Sequence, residues 1–170
     1  MKSKLFFLSI ALVPIFAFAQ PFQFGQETMK LRTVFTGQNS CLGILDDGNN
    51  NIPLMGSCNT SLKGQLWTQE LISGTKNVRL KNIVSGQGMC VDIINDGQNN
   101  KLIMAECGDY SGQIWSKEVV SGTNSVRLRN MFSGQKKCLD IINDGQNNKL
   151  IMANCGNYSG QHWTLAVNRP

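Results

Sequence analysis

Two aspartates, Asp92 and Asp140, open two identical copies of the sequence DIINDGQNNKLIMA, which end at Ala105 and Ala153. Each aspartate follows a cysteine by two positions, so both copies offer a carboxylate in the same local setting. An ionised carboxylate has no donor and about four acceptor positions, and hydrogen bonds to it are stronger than those to neutral acceptors. It can therefore bind neighbouring hydroxyl groups of a ligand, although an aspartate can also cap a turn through its own backbone. We predict that both aspartates bind a ligand.

Each aspartate is accompanied by amide and tyrosine side chains that could contact the same ligand. Amides donate and accept hydrogen bonds, and a tyrosine offers both a flat face and a hydroxyl. Other roles are open: the glutamines could satisfy buried backbone groups, the asparagines could belong to solvated turns, and the tyrosines could pack their loops onto the domain. The candidates are Asn95, Tyr110 and Gln113 beside Asp92, and Asn143, Tyr158 and Gln161 beside Asp140.

The two copies belong to a threefold repeat. Trp67, Trp115 and Trp163 are spaced 48 residues apart, and a looser first copy runs from Cys41 to Trp67. A unit of this length cannot bury its apolar face alone, so three units should share one core around a pseudo-threefold axis. One tryptophan per unit is best explained as a large core side chain.

The six cysteines follow the same period. The two cysteines of each repeat stand 17 positions apart, which predicts one disulfide inside every repeat. Each closed loop is worth about 3 kcal/mol in the chain-entropy model. A metal site is not expected, because there is no Cys-x-x-Cys and only one histidine. The predicted pairs are Cys41 with Cys58, Cys90 with Cys107, and Cys138 with Cys155.

Each repeat is predicted to contain four short strands. The alternation in Val126–Arg129, the β-branched content of the next segment and the hairpin signal Asn143-Asp144-Gly145 indicate strands, and no helical periodicity is present. We predict an all-β domain, residues 29–170, in which twelve strands close into one barrel-like unit. Its repeats are predicted at about residues 29–71, 78–119 and 126–167. The strands expected in the third repeat are Val126–Arg129, Cys138–Ile142, Leu150–Ala153 and Gln161–Leu165.

The N-terminal residues indicate that the protein is exported. Residues 1–19 combine Lys2 and Lys4, the apolar run Leu5–Phe16 and the small-x-small site Ala17-Phe18-Ala19, as in a secretory signal peptide. Residues 20–28 form a short arm. Removal of the two lysines lowers the formal net charge from +5 to +3, and the remaining basic residues are scattered. We expect a secreted or periplasmic protein that binds no nucleic acid and is not stably inserted in a membrane after cleavage.

The spacing of three Gln-x-Trp motifs resembles the ricin B-type lectin family. The motifs are Gln65-Leu66-Trp67, Gln113-Ile114-Trp115 and Gln161-His162-Trp163, and a Cys-x-Asp precedes the last two. The resemblance extends from about Met29 to Leu165. It implies a β-trefoil with shallow sugar pockets, one per repeat. It also implies that Asp92 and Asp140 accept hydrogen bonds from two adjacent sugar hydroxyls, and that the glutamines hold these aspartates.

The sequence departs from the family pattern at two places. The first repeat has Gly43 where the others have aspartate, so its pocket lacks an anchor. The family usually has an aromatic residue two positions before the second cysteine, to stack on the sugar. All three repeats have a small residue there, namely Gly56, Ala105 and Ala153. We predict that Tyr110 and Tyr158 supply the missing rings; counting from the cysteine, the matching residue of the first repeat is Ser61.

The predicted function is therefore an exported carbohydrate-binding module with sugar sites in the second and third repeats. The alternative is a protein-interaction or toxin-delivery subunit with degenerate sugar pockets. Catalysis is not expected, because His162 is the single histidine and no Gly-x-Ser-x-Gly is present. Asp92 and Asp140 occupy equivalent places in separate repeats, which separates them too widely for a glycosidase pair. We expect glycans as partners, with a partner protein possible, and no cofactor.

Overall fold

The computed structural model describes residues 27–45, 48–49, 51–98, 100–147 and 149–167. Residues 1–26, which contain the predicted signal peptide and most of the predicted arm, lie outside this part of the chain. The described residues form twelve strands of five residues each and three single 3₁₀ turns. The strands are β1 (Met29–Thr33), β2 (Ser40–Ile44), β3 (Pro53–Ser57), β4 (Trp67–Leu71), β5 (Val78–Asn82), β6 (Met89–Ile93), β7 (Leu102–Glu106), β8 (Trp115–Val119), β9 (Val126–Asn130), β10 (Lys137–Ile141), β11 (Leu150–Asn154) and β12 (Trp163–Val167).

Six strands close a barrel in the order β1-β12-β9-β8-β5-β4, and the other six form the hairpins β2-β3, β6-β7 and β10-β11. This confirms the predicted all-β trefoil, but the expectation that all twelve strands join one barrel was wrong. The inner two strands of every repeat pair with each other over their full length. The hairpins instead meet one another, since the Met104 N–H donates to the Asn51 carbonyl and the Met152 N–H to the Asn100 carbonyl.

The fourth strand of each repeat begins later than predicted. In the third repeat it begins at Trp163, and Gln161 instead ends the 3₁₀ turn Ser159–Gln161. The turn is closed by the His162 N–H, which donates to the Ser159 carbonyl. The glutamine therefore lies outside the sheet ladder, and its side chain is buried at the edge of the hairpin rather than aligned in the barrel wall.

Three tryptophans connect the barrel to the hairpins. Trp67, Trp115 and Trp163 are fully buried, as predicted for core residues. The Trp115 indole N–H donates to the Val91 carbonyl at 3.1 Å, and the other two make equivalent bonds to the carbonyls of Leu42 and Leu139. Since a buried indole N–H needs an acceptor, each bond fixes the middle of one hairpin strand against the barrel. In the second and third repeats the residue after that carbonyl is the candidate aspartate.

The predicted disulfides are confirmed. Cys41–Cys58, Cys90–Cys107 and Cys138–Cys155 each close a loop inside one repeat, and no cysteine among the described residues is free. Each bridge joins the first strand of a hairpin to the residue that follows its second strand. The loop that leads to the 3₁₀ turn therefore starts from a covalently fixed point.

Candidate functional site

The Asp92 carboxylate is held from two sides. Its Oδ1 accepts a hydrogen bond from the Ile93 N–H at 2.7 Å, and its Oδ2 accepts one from Gln113 Nε2 at 2.9 Å. Asp140 repeats this arrangement with Ile141 and Gln161. Neither aspartate forms an ion pair with any described residue. Two of about four acceptor positions are used, so each carboxylate can still accept hydrogen bonds from a ligand.

Gln113 combines the two roles that its position in the sequence left open. It is fully buried, and its Nε2 donates both to the Asp92 carboxylate and to the Glu106 carbonyl. Its Oε1 accepts from the Gly108 N–H at 2.9 Å. The amide is thus fully bonded, and it fixes the aspartate and the loop after the disulfide together. Gln161 makes the same three bonds in the third repeat.

Each aspartate lies in the wall of a shallow cavity. The cavity of the second repeat has a volume of about 450 Å³ and is lined by Asp92, Asn95 and Tyr110 among others. That of the third repeat has about 410 Å³ and is lined by Asp140, Asn143 and Tyr158. The structure thus brings together three of the four side chains predicted at each site. The glutamine is not part of the cavity wall, because it lies buried behind the carboxylate.

The tyrosines are exposed at the edge of these cavities. Tyr110 is 63% exposed and Tyr158 is 62% exposed, which is inconsistent with rings packed beneath the loop. The ring of Tyr110 lies against Gly108, where a Cβ atom would come within 2.5 Å of the ring carbon Cε2. Gly156 has the same relation to Tyr158. A glycine two residues before each tyrosine therefore allows the ring to lie against the loop backbone.

A phenylalanine from the next repeat completes each cavity. Phe132 of the third repeat lines the cavity of Asp92, and Phe35 of the first repeat lines the cavity of Asp140. These residues were not predicted from the sequence, because the aromatic residue is expected inside the same repeat, at the positions of Ala105 and Ala153. A signal was present: both phenylalanines stand six positions before the first cysteine of their own repeat.

Two arginines hold the tyrosine loops. Arg79 donates to the Gly108 carbonyl and to Asp109 Oδ1, and Arg127 Nε donates to the Gly156 carbonyl at 3.1 Å. Arg79 also contacts Glu70 Oε1 at 3.3 Å.

The hydrogen bond from Lys81, with the positive charges of Lys81 and Arg79, lowers the pKa of Glu70 although partial burial opposes this. Glu70 is therefore ionised at neutral pH and available to pair with Arg79.

The polar hairpin beside the third-repeat cavity is ordered by Asp144. Its Oδ1 accepts from the backbone N–H groups of Gln146 and Asn147. The bond from Asn147 is the main cause that lowers the pKa of Asp144, and the Gln146 bond and the charge of Lys149 act in the same direction. The turn is thus built by its own aspartate, which leaves Asn143 exposed in the cavity wall.

The first repeat differs at the corresponding place. Gly43 replaces the aspartate, and among the described residues Gln65 Nε2 donates to the Ser57 carbonyl alone. Leu62, not Ser61, stands before the 3₁₀ turn where the other repeats have tyrosine. The expected match to Ser61 was wrong because this loop is one residue longer. The Asn59 N–H donates to Gln65 Oε1, six positions later, whereas the Gly108 N–H donates to Gln113 Oε1, five positions later.

The described residues contain no group of three or more His, Cys, Asp or Glu side chains placed to hold a metal ion. No helix in the same part of the chain is long and apolar enough to cross a membrane.

A family model described as the ricin-type beta-trefoil lectin domain matches residues 76–170, which is more than half of the chain. The chain belongs to this family. A domain of this family is a carbohydrate-binding module and not a catalytic one. No curated protein sequence matches the chain.

Solved structures with the same fold are similar to most of the chain. A mosquitocidal holotoxin aligns with 85% of this chain and 17% of its own, at TM-score 0.72 and 16% identity. The exo-beta-1,3-galactanase 1,3Gal43A from Clostridium thermocellum aligns with 84% of this chain and 30% of its own, at TM-score 0.68 and 19% identity. The designed threefold-symmetric protein ThreeFoil aligns with 82% of this chain and 97% of its own, at TM-score 0.67 and 19% identity. This chain spans less than a third of the toxin and galactanase chains, and at these identities the likeness shows the fold.

Replacement of Arg127 by Gln should loosen one tyrosine loop and not the other. A hydrogen bond from a charged donor is worth about 1.5 kcal/mol or more, so the hydrogen-bonded amides of Gly156 and Gln161 should exchange with solvent about tenfold faster. Hydrogen exchange measured by NMR tests this, with the equivalent amides of Gly108 and Gln113 in the same molecule as the internal control. Arg79→Gln should give the reciprocal pattern. Equal protection of both loops in both variants would show that the arginines do not hold them.

Proposed function

We propose that this protein is an exported lectin with one sugar site in the second repeat and one in the third. The observation that carries the proposal is a carboxylate, Asp92 or Asp140, that forms no ion pair with a described residue and is held by a buried glutamine in the wall of a cavity with two aromatic side chains. Cavities of about 300 to 1,000 Å³ with a few fixed polar groups are typical small-molecule sites. Membership in the lectin family supports sugar as the ligand class.

Each wall of the cavity has a role in this proposal. The carboxylate of Asp92 accepts hydrogen bonds from two neighbouring sugar hydroxyls, and Asn95 donates to or accepts from a third. Tyr110 and Phe132 contact the apolar C–H face of the ring, which replaces the stacking residue absent at Ala105. In the third repeat the same roles fall to Asp140, Asn143, Tyr158 and Phe35. Gln113 and Gln161 position the carboxylates and do not touch the sugar.

Two such sites on one rigid body can act together. If a surface displays many copies of the glycan, the second binding event is intramolecular, and avidity can exceed the single-site affinity by about 10²-fold or more. Weak individual sites are sufficient under these conditions. The aligned holotoxin keeps the alternative of a delivery subunit open, and the first repeat is the part of the chain that favours it, because its pocket lacks the carboxylate.

Conversion of Asp92 and Asp140 to Asn should abolish glycan binding. The amide keeps the shape of the carboxylate but loses its charge and half of its acceptor capacity, so each single variant should weaken its own site at least about tenfold. A glycan array followed by calorimetry with the best ligand measures this. Asp109→Asn is the matched control: it removes the other carboxylate of the same cavity wall, together with its ion pair to Arg79, at a position where the third repeat has Asn157.

In this experiment the double variant should remain folded but melt at a lower temperature than the parent, because each Asn can accept from only one of the two N–H donors that the carboxylate accepts from. Absence of binding to every sugar by folded parent protein, or full binding by the double variant, would refute the proposed sites.

Phe35→Val should weaken the third-repeat site and leave the second-repeat site intact. Valine already occupies the equivalent position at Val84, so the fold accepts it. Loss of one aromatic contact should cost about 0.5 to 1.5 kcal/mol, or roughly 2- to 12-fold in affinity. Calorimetry of proteins that keep only one sugar site separates the two effects. Phe35→Val should lower the affinity when it is combined with Asp92→Asn, which leaves the third-repeat site. It should have no effect when combined with Asp140→Asn, which leaves the second-repeat site. Phe132→Val should show the opposite dependence, and a loss in the wrong background would contradict the cross-repeat assignment.

Export is part of the proposal. The signal-like segment Met1–Ala19 supports it, and three disulfides fit an oxidising compartment. Protein expressed with a functional secretory pathway should therefore begin at Gln20 when its N-terminus is sequenced. Ala19→Arg should block cleavage, because the site requires a small residue. Recovery of the parent protein with an intact Met1, or with free thiols in the cytoplasm, would contradict export.

A further inference from the structure

A second cleft lies beside the sugar cavity of the third repeat. Cys155 lines this cleft and Asn157 lines the Asp140 cavity, so only Gly156 separates the two along the loop. On β10, Cys138 and Asp140 point to the same face of the strand, about 7 Å apart. The cleft and the cavity are therefore neighbours on one surface. The cleft has a volume of about 410 Å³ and is lined by Arg129, Gln135, Lys136, Asn154 and Cys155.

The walls of this cleft carry positive charge. Lys136 is exposed in the wall, and Lys137 stands directly opposite the wall residue Asn154 in the β10-β11 ladder, which places both side chains on the same face. Neither lysine forms an ion pair with any described residue. The third cation, Arg129, shares the single carboxylate of Glu118 with a second arginine. The acid at this place therefore does not balance the cations.

The charge is a property of the third repeat alone. In the second repeat the two lysines are replaced by Gly88 and Met89, the asparagine is replaced by Glu106, and the arginine is replaced by Lys81, which pairs with Glu70. The same fold is thus built with a neutral residue pair and an acid at these positions. The first repeat also lacks the lysines and has Asn39, Ser40 and Ser57 at the matching positions.

Asp46 and Asp47, which lie outside the described residues, belong to the hairpin of the first repeat. The tip of that hairpin meets β7, because the Asn51 carbonyl accepts from the Met104 N–H. The end of β11 lines the cleft, and β11 is met by the tip of the second repeat instead, at the Asn100 carbonyl. All other residues outside the described part of the chain lack a side-chain carboxylate. The excess of cations in the cleft is therefore not balanced from these segments.

We propose that the third-repeat cleft binds an oxyanion, a sulfate ester or a uronate carboxylate, on the sugar unit next to the one in the Asp140 cavity. The ligand class of this site is then an acidic oligosaccharide, and in this it depends on the proposed third-repeat sugar site. Lysine and arginine side chains have donors and no acceptor, so the cleft selects an acceptor group with negative charge. The cavity beside it offers the opposite, a carboxylate that accepts from hydroxyls.

The two halves of the proposed site explain why one repeat carries opposite charges so close together. A neutral sugar gains nothing from Lys136 and Lys137, and a free anion gains nothing from Asp140. Two adjacent units of one sugar chain, one with free hydroxyls and one with an oxyanion, satisfy both. The second repeat has the carboxylate without the cations, so it takes the neutral unit alone.

Inorganic sulfate tests the cleft without the sugar. In an NMR titration of the mature protein, the amide signals of Lys136, Lys137 and Cys155 should shift, and Asp140→Asn should leave these shifts unchanged. The double variant Lys136→Gly/Lys137→Met should weaken sulfate binding at least about tenfold. The fold accepts both residues, because the second repeat already has them. The control Lys63→Gln/Lys76→Gln removes the same charge from exposed lysines of other repeats and should have little effect.

A glycan array with matched oligosaccharides, each in a neutral, a sulfated and a uronate form, tests the shared ligand. An anionic form should bind at least about tenfold more tightly than the neutral form. The double variant Lys136→Gly/Lys137→Met should lose this advantage and the control variant should keep it, whereas Asp140→Asn should weaken both forms. The form with the larger gain identifies the oxyanion.

The outcomes separate the cleft from the sugar cavity. Absence of sulfate shifts, or an equal loss in the two lysine variants, would overturn the proposed cleft and leave the sugar sites intact. Sulfate shifts without any effect of Asp140→Asn on glycan binding would refute the third-repeat sugar site, and the shared ligand with it. Tighter binding to phosphatidylglycerol vesicles than to sulfated glycans would place a membrane surface in the cleft and would also overturn the proposal.

Discussion

A buried amide that must satisfy all of its hydrogen bonds is the constraint on which each candidate sugar site depends. Gln113 can be fully bonded only if the Asp92 carboxylate, the Glu106 carbonyl and the Gly108 N–H all occupy their places. These three groups belong to β6, to the end of β7 and to the tyrosine loop. One side chain thus fixes the acid and the loop relative to each other, because an unpaired buried amide group costs about 1 to 3 kcal/mol.

The barrel and the disulfides also fix the strand and the loop that the buried glutamine connects. Trp115 fixes the strand one residue before Asp92, and Cys90–Cys107 fixes the start of the loop that Gln113 bonds. The carboxylate therefore keeps its orientation although no described residue forms an ion pair with it. The same side-chain amide in the first repeat, Gln65, retains the backbone bonds and loses the acid. Its fold is preserved while its pocket has a different chemistry.

The sequence predicts the fold well because the signals are periodic. Evenly spaced tryptophans and cysteines predict three units, one core and three local disulfides, and these inferences need no knowledge of how the units meet. The features that the sequence does not predict depend on contacts between units or on single insertions. Phe35 and Phe132 act in the cavity of a preceding repeat, and one extra residue before Gln65 moves the tyrosine position from Ser61 to Leu62. Gln161 was placed in a strand because a 3₁₀ turn of three residues has no periodicity to detect.

The sharing of walls between repeats has a consequence for how the molecule can be divided. The Asp140 cavity is completed by Phe35, so the third repeat depends on the first across the closure of the barrel, where β1 pairs with β12. A fragment of the second and third repeats would contain both acids but only one finished cavity. Joining the end of β12 to the start of β1 and opening the chain between β4 and β5 would preserve every wall. The closed ring of three repeats is therefore the smallest unit in which both sugar cavities are complete.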